Sequence, residues 1–204
     1  MDLSVAVERW PTADAFVIAR GAKTHVDVVV VTLHDGDHVG RGEATPIYYH
    51  GEDAEGCAAA IRAEAAAVRD VSSAAAMIRR MPRGAARNAL DAALWDLEAK
   101  RTGIPVWTRA GMAPPRSLPT AYTISLGTPE RMEADARRAV ENFSFLKLKL
   151  AGDGDIARVA AVRRGAPDCR LIVDANEAWT DRDVAAEAAA PVPFGVEPIQ
   201  QPVK

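Results

Sequence analysis

The sequence is poor in the features that mark several large protein classes. It has only two cysteines, Cys57 and Cys169, far apart and matching no metal or redox spacing. Two free thiols in a reducing cytoplasm are therefore expected. No apolar run approaches the roughly 20 residues that cross a bilayer. Met1-Asp2-Leu3-Ser4 does not open a basic segment followed by an apolar core, so neither a membrane anchor nor a signal peptide is expected. Excess positive charge is also absent. The formal net charge is -3, with Lys and Arg spread along the chain, which argues against a nucleic-acid or anionic-membrane surface. There is no Gly-x-Ser-x-Gly elbow and no Walker-type glycine loop. His25, His34, His38 and His50 form no zinc-ligand pattern.

What remains is an ordinary globular composition. The 204 residues are 49% hydrophobic and 26% charged, enough for one large domain or two small ones. The first third looks mixed. Phe16 to Gly21 reads as a strand entering a turn, and Val26 to Leu33 as a buried β-branched strand. His34-Asp35-Gly36-Asp37 has turn chemistry, with Val39 to Ala44 returning as a hairpin partner. Helices are expected over about 54–70 and 84–101. In the second, Ala86, Leu90, Ala93, Leu94 and Leu97 share a face, and Gly103-Ile104-Pro105 stops it. Pro114-Pro115-Arg116 looks like a linker.

From about residue 118 strands and helices alternate. Strands are expected at Thr120–Ser125, Phe145–Leu150, Leu171–Ala175 and near 195–200. Helices are expected at about 129–142, 154–165 and 181–190. This rhythm implies βαβ units and a parallel sheet. A closed (β/α)8 barrel typically needs about 250 residues, so four strands would make roughly half of one.

The segment Phe145-Leu146-Lys147-Leu148-Lys149-Leu150 is the most unusual. Side chains alternate faces along a strand, so the leucines face one way and both lysines the other. A solvated edge strand would show this pattern. So would a general base placed inside a barrel. A free lysine, with a pKa near about 10.4, is a poor base at neutral pH. A second ammonium on the same face, with partial burial, would lower that value. Lys149, nearer the strand's C-terminal end, then takes the base role, and Lys147 tunes it and orients substrate. One unit later, Leu171-Ile172-Val173-Asp174-Ala175-Asn176 puts Asp174 and Asn176 on one face at the C-terminal strand end, where barrel enzymes place catalytic groups. A carboxylate there suits Mg²⁺. Asp174 could also simply cap the following turn.

Taken together, these segments resemble the enolase superfamily, its muconate-lactonizing subgroup, and within that the dipeptide epimerases of the L-Ala-D/L-Glu type. The resemblance covers essentially the whole chain. Ile18 to Thr24, Gly40-Arg41-Gly42-Glu43-Ala44-Thr45-Pro46, Ala89 to Leu97 and Gly103 to Trp107 look like the family's first domain. Tyr122-Thr123-Ile124-Ser125, Lys147-Leu148-Lys149 and Val173-Asp174-Ala175-Asn176 match its first three barrel strands. The fold implied is an α+β N-terminal capping domain over residues 1–115, followed by an α/β partial (β/α)8 (TIM-type) barrel over residues 116–204.

The resemblance also implies a reaction. Lys149 removes the α-proton beside a substrate carboxylate, Mg²⁺ stabilises the charge that develops, and a lysine on a later strand returns a proton from the opposite face. Arg20 and Lys23, in a loop expected to cover the site, are candidate partners for a substrate carboxylate, with Thr123 and Asn176 also on the substrate side. Asp174 matches the first of three metal carboxylates. The fourth strand departs from the pattern. It reads Val196-Glu197-Pro198-Ile199-Gln200-Gln201-Pro202 where the family has Ile-Glu-Gln-Pro, so Gln200 stands at the second metal position. Glu197, an odd number of residues away, should face the other side, and Pro198 is unwelcome within a strand. The third metal carboxylate and the opposite-face lysine would lie beyond Lys204. The expected substrate is a dipeptide or related carboxylate, and the expected assembly a homo-oligomer. The alternatives are o-succinylbenzoate synthesis, muconate cycloisomerisation, or a non-catalytic remnant.

Overall fold

The computed structural model describes residues 1–19, 21–179 and 183–204. The chain divides into two compact units, residues 1–11 with 25–116, and residues 12–24 with 117–204. Among the described residues, no helix is long and apolar enough to cross a membrane.

The first unit is an α+β body. Its sheet comes from β1 (Asp2–Ile18) and β2 (Gly21–Asp35), except for their residues 12–24, and from β3 (His38–Ala44), in the order β1-β2-β3. β2 and β3 form an antiparallel hairpin closed at Asp35↔His38. β1 starts far earlier than its sequence suggests. Its apolar-polar alternation breaks at Glu8-Arg9-Trp10-Pro11, and a proline inside a strand argues against strand. As an edge strand, however, β1 can carry Pro11 without losing an essential ladder bond.

Helices α1 (Ala54–Glu64), α2 (Val71–Arg80), α3 (Ala85–Thr102) and α4 (Val106–Arg109) follow. The single helix expected over 54–70 is in fact α1 and a short 3₁₀ turn at Ala65–Ala67. Asp70 then accepts from the Ser73 N–H while the Ser73 hydroxyl takes the Asp70 N–H, so a new helix starts there. Val29, Val31, Leu33, Ile61, Met77, Leu90, Leu94 and Leu97 fill the core.

The approach of α3 to β3 is set by Gly40 and Gly42. A β-carbon on Gly42 would stand 2.0 Å from the Ala89 carbonyl oxygen, and one on Gly40 would stand 2.3 Å from that of Ala93. No side chain fits at position 40 or 42 of the strand.

In the second unit β4 (Tyr122–Ile124), β5 (Phe145–Lys149), β6 (Arg170–Asp174) and β7 (Val196–Gln200) make a parallel sheet in chain order. α5 (Pro129–Ala139), α6 (Asp155–Gly165) and α7 (Val184–Ala189) connect them. Thr128 caps α5, its hydroxyl accepting from the Arg131 N–H, with Pro129 at the first helical position. Leu146, Leu148, Leu171 and Val173 point to one face and are buried with Ile124, Met132, Val159 and Val162. β5 is an interior strand, so the solvated-edge reading of the lysine segment does not hold.

Candidate active site

Strand register gathers the site. Lys149 stands opposite Asp174, and Asp174 opposite Gln200, so these three residues form one row across β5, β6 and β7. Two residues back, Lys147 sits beside Thr123 on the same face. The alternation that buries the leucines under helices therefore turns both lysines to the other side of the sheet.

The position of Gln200 depends on an irregularity. Leu171 pairs with Val196, yet Val173 pairs with Ile199, so β7 holds one residue more than β6 over this stretch. Pro198 lies within that bulge, one of the few places a strand tolerates proline. Without the extra residue, Ile199 would stand opposite Asp174. The bulge advances Gln200 into the row. Glu197 meanwhile pairs with Arg170 at 2.6 Å, both exposed, away from the cluster.

The side chains converge on one carboxylate. Lys149 Nζ donates to Asp174 Oδ2 at 2.7 Å, and Lys147 Nζ lies 2.8 Å from the same oxygen. Lys147 Nζ also donates to Gln200 Oε1 at 2.6 Å. Asp174 Oδ1 accepts the Asn176 backbone N–H at 3.0 Å. Asp174 and Lys149 are buried, at 1% and 7% exposure. Lys147 is half-buried and Gln200 exposed. Burial by itself pushes the Asp174 carboxyl up, but the hydrogen bonds from Lys147, Lys149 and the Asn176 N–H outweigh it. They hold the group below the usual aspartate value of 3.8.

The strand ends turn abruptly. Asn176, Glu177 and Gln201 have φ of 47°, 66° and 43°, a left-handed conformation uncommon outside glycine. Loop-to-loop hydrogen bonds hold them, among them Glu177 N–H to the Gln201 carbonyl at 2.7 Å and Ala175 N–H to the Gln200 carbonyl at 3.1 Å. Asn176 is buried, and its Oδ1 has no hydrogen-bond partner among the described residues.

Sequence reasoning missed a second buried group. Asp155 accepts the Ala151 and Gly152 N–H groups at 2.9 and 2.8 Å and the Trp179 indole N–H at 3.2 Å. It ties the loop after Lys149 to the loop after Asp174. Phe16 was also missed; its ring centroid lies 5.8 Å from Lys149 Nζ. The one available signal was a tryptophan and an aspartate flanking the Lys-x-Lys and Asp-Ala-Asn segments. Of the other candidates, Thr123 lines a cleft with Asp14, Val17, Tyr122 and Arg131 that contains none of the cluster. Lys23 is exposed on β2. Arg20 lies outside the described residues.

The donor set fits a hard cation in part. Asp174 and Gln200 present oxygens from adjacent strand ends, and one ammonium already bridges them. Mg²⁺ takes such oxygens, often with only one or two carboxylates and the rest water. Among the described residues there is no group of three or more His, Cys, Asp or Glu able to hold a metal.

Comparison with known proteins places the chain in a family. Residues 1–111 match the N-terminal domain of the mandelate racemase/muconate lactonizing enzymes, and residues 131–204 match the enolase C-terminal domain-like family. The chain belongs to the mandelate racemase/muconate lactonizing family of the enolase superfamily. Within this family it is 36% identical over 202 residues to an L-Ala-D/L-Glu epimerase of Escherichia coli, covering 98% of this chain and 63% of that one. An enolase-family structure from Agrobacterium tumefaciens, homologous to dipeptide epimerases and holding sodium and L-Ala-L-Glu, superposes with a TM-score of 0.89 at 40% identity. It covers 99% of this chain, which spans 62% of it. A dipeptide epimerase from Enterococcus faecalis, complexed with Mg and L-Leu-L-Tyr, gives 0.90 at 28% identity, over 100% of this chain and 61% of its own. The chain thus spans about three-fifths of the relatives it matches. The Escherichia coli and Enterococcus faecalis relatives are epimerases, isomerases acting on amino-acid derivatives, and the fold shared with these structures is an enolase-type α+β N-terminal domain with a parallel α/β domain.

Proposed function

We propose that this chain carries the proton-abstracting half of a dipeptide epimerase, with residues 1–115 as the capping domain and 116–204 as the barrel portion. The observation that carries the proposal is the row Lys149–Asp174–Gln200, with Lys147 bridging its last two members. Lys149 is the base that takes the α-proton beside a carboxylate, and Lys147 orients that carboxylate. Asp174, with Gln200, would hold Mg²⁺, whose chemistry when bound is to stabilise negative charge developing on the substrate carboxylate. Asn176, Thr123, Arg20 and Lys23 serve substrate binding. The closeness of the L-Ala-D/L-Glu relatives supports a dipeptide such as L-Ala-L-Glu.

The test is proton NMR of L-Ala-L-Glu in D₂O with Mg²⁺ and the chain, following the glutamate α-proton. Exchange is expected, and Lys149→Ala should slow it about 10³-fold. Exchange that survives this change would sink the base assignment. No exchange by a folded native chain would favour a non-catalytic role, to which the neutral Gln200 also points. Exchange confined to cyclic acids would favour the cycloisomerase or o-succinylbenzoate alternatives. Among the described residues β4 and β7 lie at the edges of the sheet, and an unpaired edge invites pairing. We therefore also propose a homo-oligomer; a monodisperse monomer by light scattering of the same sample would exclude it.

A further inference from the structure

Charge and register at Gln200 carry a consequence of their own. Two ammonium groups, Lys147 and Lys149, share the single oxygen Oδ2 of Asp174. The residue that the bulge aligns with Asp174 is a neutral amide, and it adds no charge to balance the second ammonium. Instead its Oε1 accepts from Lys147 at 2.6 Å. The one carboxylate on β7, Glu197, is held on the surface by Arg170.

We infer that Lys147 is the resident cation of the Asp174–Gln200 oxygen pair, so that a divalent ion reaches those oxygens only by displacing the Lys147 ammonium. An amide oxygen offers a dipole but no net charge, and affinity for hard cations follows ligand charge as well as ligand number. With one carboxylate against two ammonium groups, the cluster carries an excess positive charge that opposes an incoming divalent ion. A glutamate at position 200 would cancel that excess. The inference rests on Asp174 being the metal ligand, but it does not depend on which reaction follows.

The experiment titrates Mn²⁺ into the full chain and reads the free-ion signal by electron paramagnetic resonance, with Mg²⁺ as competitor and circular dichroism as the check on folding. Gln200→Glu should bind Mn²⁺ at least about tenfold more tightly than the native chain. Lys147→Met, which removes the internal competitor, should also tighten binding. Adding Asp174→Asn to Gln200→Glu should abolish the gain. A Gln200 that merely shapes the bulge would not make these two single changes act in the same direction. Native binding as tight as that of Gln200→Glu, weaker binding in Lys147→Met, or no binding in any folded variant would each overturn the inference. Should Gln200→Glu fail to fold, Lys147→Met decides alone. Tight native Mn²⁺ binding with intact α-proton exchange would sink this inference while leaving the proposed reaction standing. Tighter binding in both variants without exchange would do the reverse.

Discussion

The two units bury their interiors in opposite ways. The core of the first is aliphatic, and its closest packing is helix backbone against strand backbone at Gly40 and Gly42. All four buried polar or charged residues among those described, Lys149, Asp155, Asp174 and Asn176, lie in the second. Apolar burial stabilises in rough proportion to area and needs no partner. Buried charge is tolerated only when its partners are in place, and even then contributes little net stability. The first unit therefore reads as a scaffold. The second keeps an ionic cluster that a stability-driven design would replace, which is what a site of chemistry looks like.

That contrast can be tested by substitution. The largest effect is expected at Asp174. Asp174→Leu leaves two ammonium groups without their shared carboxylate and should destabilise the second unit by about 3–5 kcal/mol, read from urea unfolding. The double change Lys149→Met with Asp174→Leu should recover much of that loss, because a matched apolar pair removes the desolvation penalty. Additive losses would show that the cluster is a structural staple and would blur the comparison. Next comes Gly42→Ala, which places a methyl against the Ala89 carbonyl. It should cost about 2–3 kcal/mol in the first unit, and an unchanged midpoint would mean that α3 can move away freely.

The smallest effect is expected at Glu52, which accepts the Ile47 and Ala85 N–H groups at 3.0 and 2.8 Å. The Ala85 and then the Ile47 N–H hold its carboxyl below the usual glutamate value of 4.5. A depressed native value means that the contribution is fully present above 4.5 and lost as pH falls through the native value. Glu52→Gln should cost about 1 kcal/mol at neutral pH and flatten the acid limb of the unfolding curve. A limb of unchanged slope would remove Glu52 from the account.

Much of this was legible along the chain. The β-branched run at Val26–Leu33, the 3.6-residue stripe of α3 and the strand-helix rhythm after residue 118 all report burial, and burial imprints a period on the sequence. Alanine-rich stretches carry less information. Ala58 to Ala67 suits a helix at every position, so the break at 65–67 and the new start at Asp70 were decided by local capping that composition does not display. The length of β1 was hidden because an edge strand need not alternate and can hold Pro11.

In the site, the alternating Leu-Lys segment and Asp174 could be placed from the sequence, since strand parity assigns faces without any knowledge of neighbours. The sharing of one carboxylate oxygen by Lys147 and Lys149 could not, because it depends on the register between β5 and β6. The alignment of Gln200 with Asp174 was indicated only by the match of Gln200 to the family's second metal position, not by strand parity. Parity counted from Leu171 and Val196 would have put Ile199 there, and only the Pro198 bulge moves Gln200 into the row. The chemistry of each side chain is a property of the chain itself. Which side chains meet is set by the offset between strands that are distant in sequence, and that offset exists only in the folded sheet.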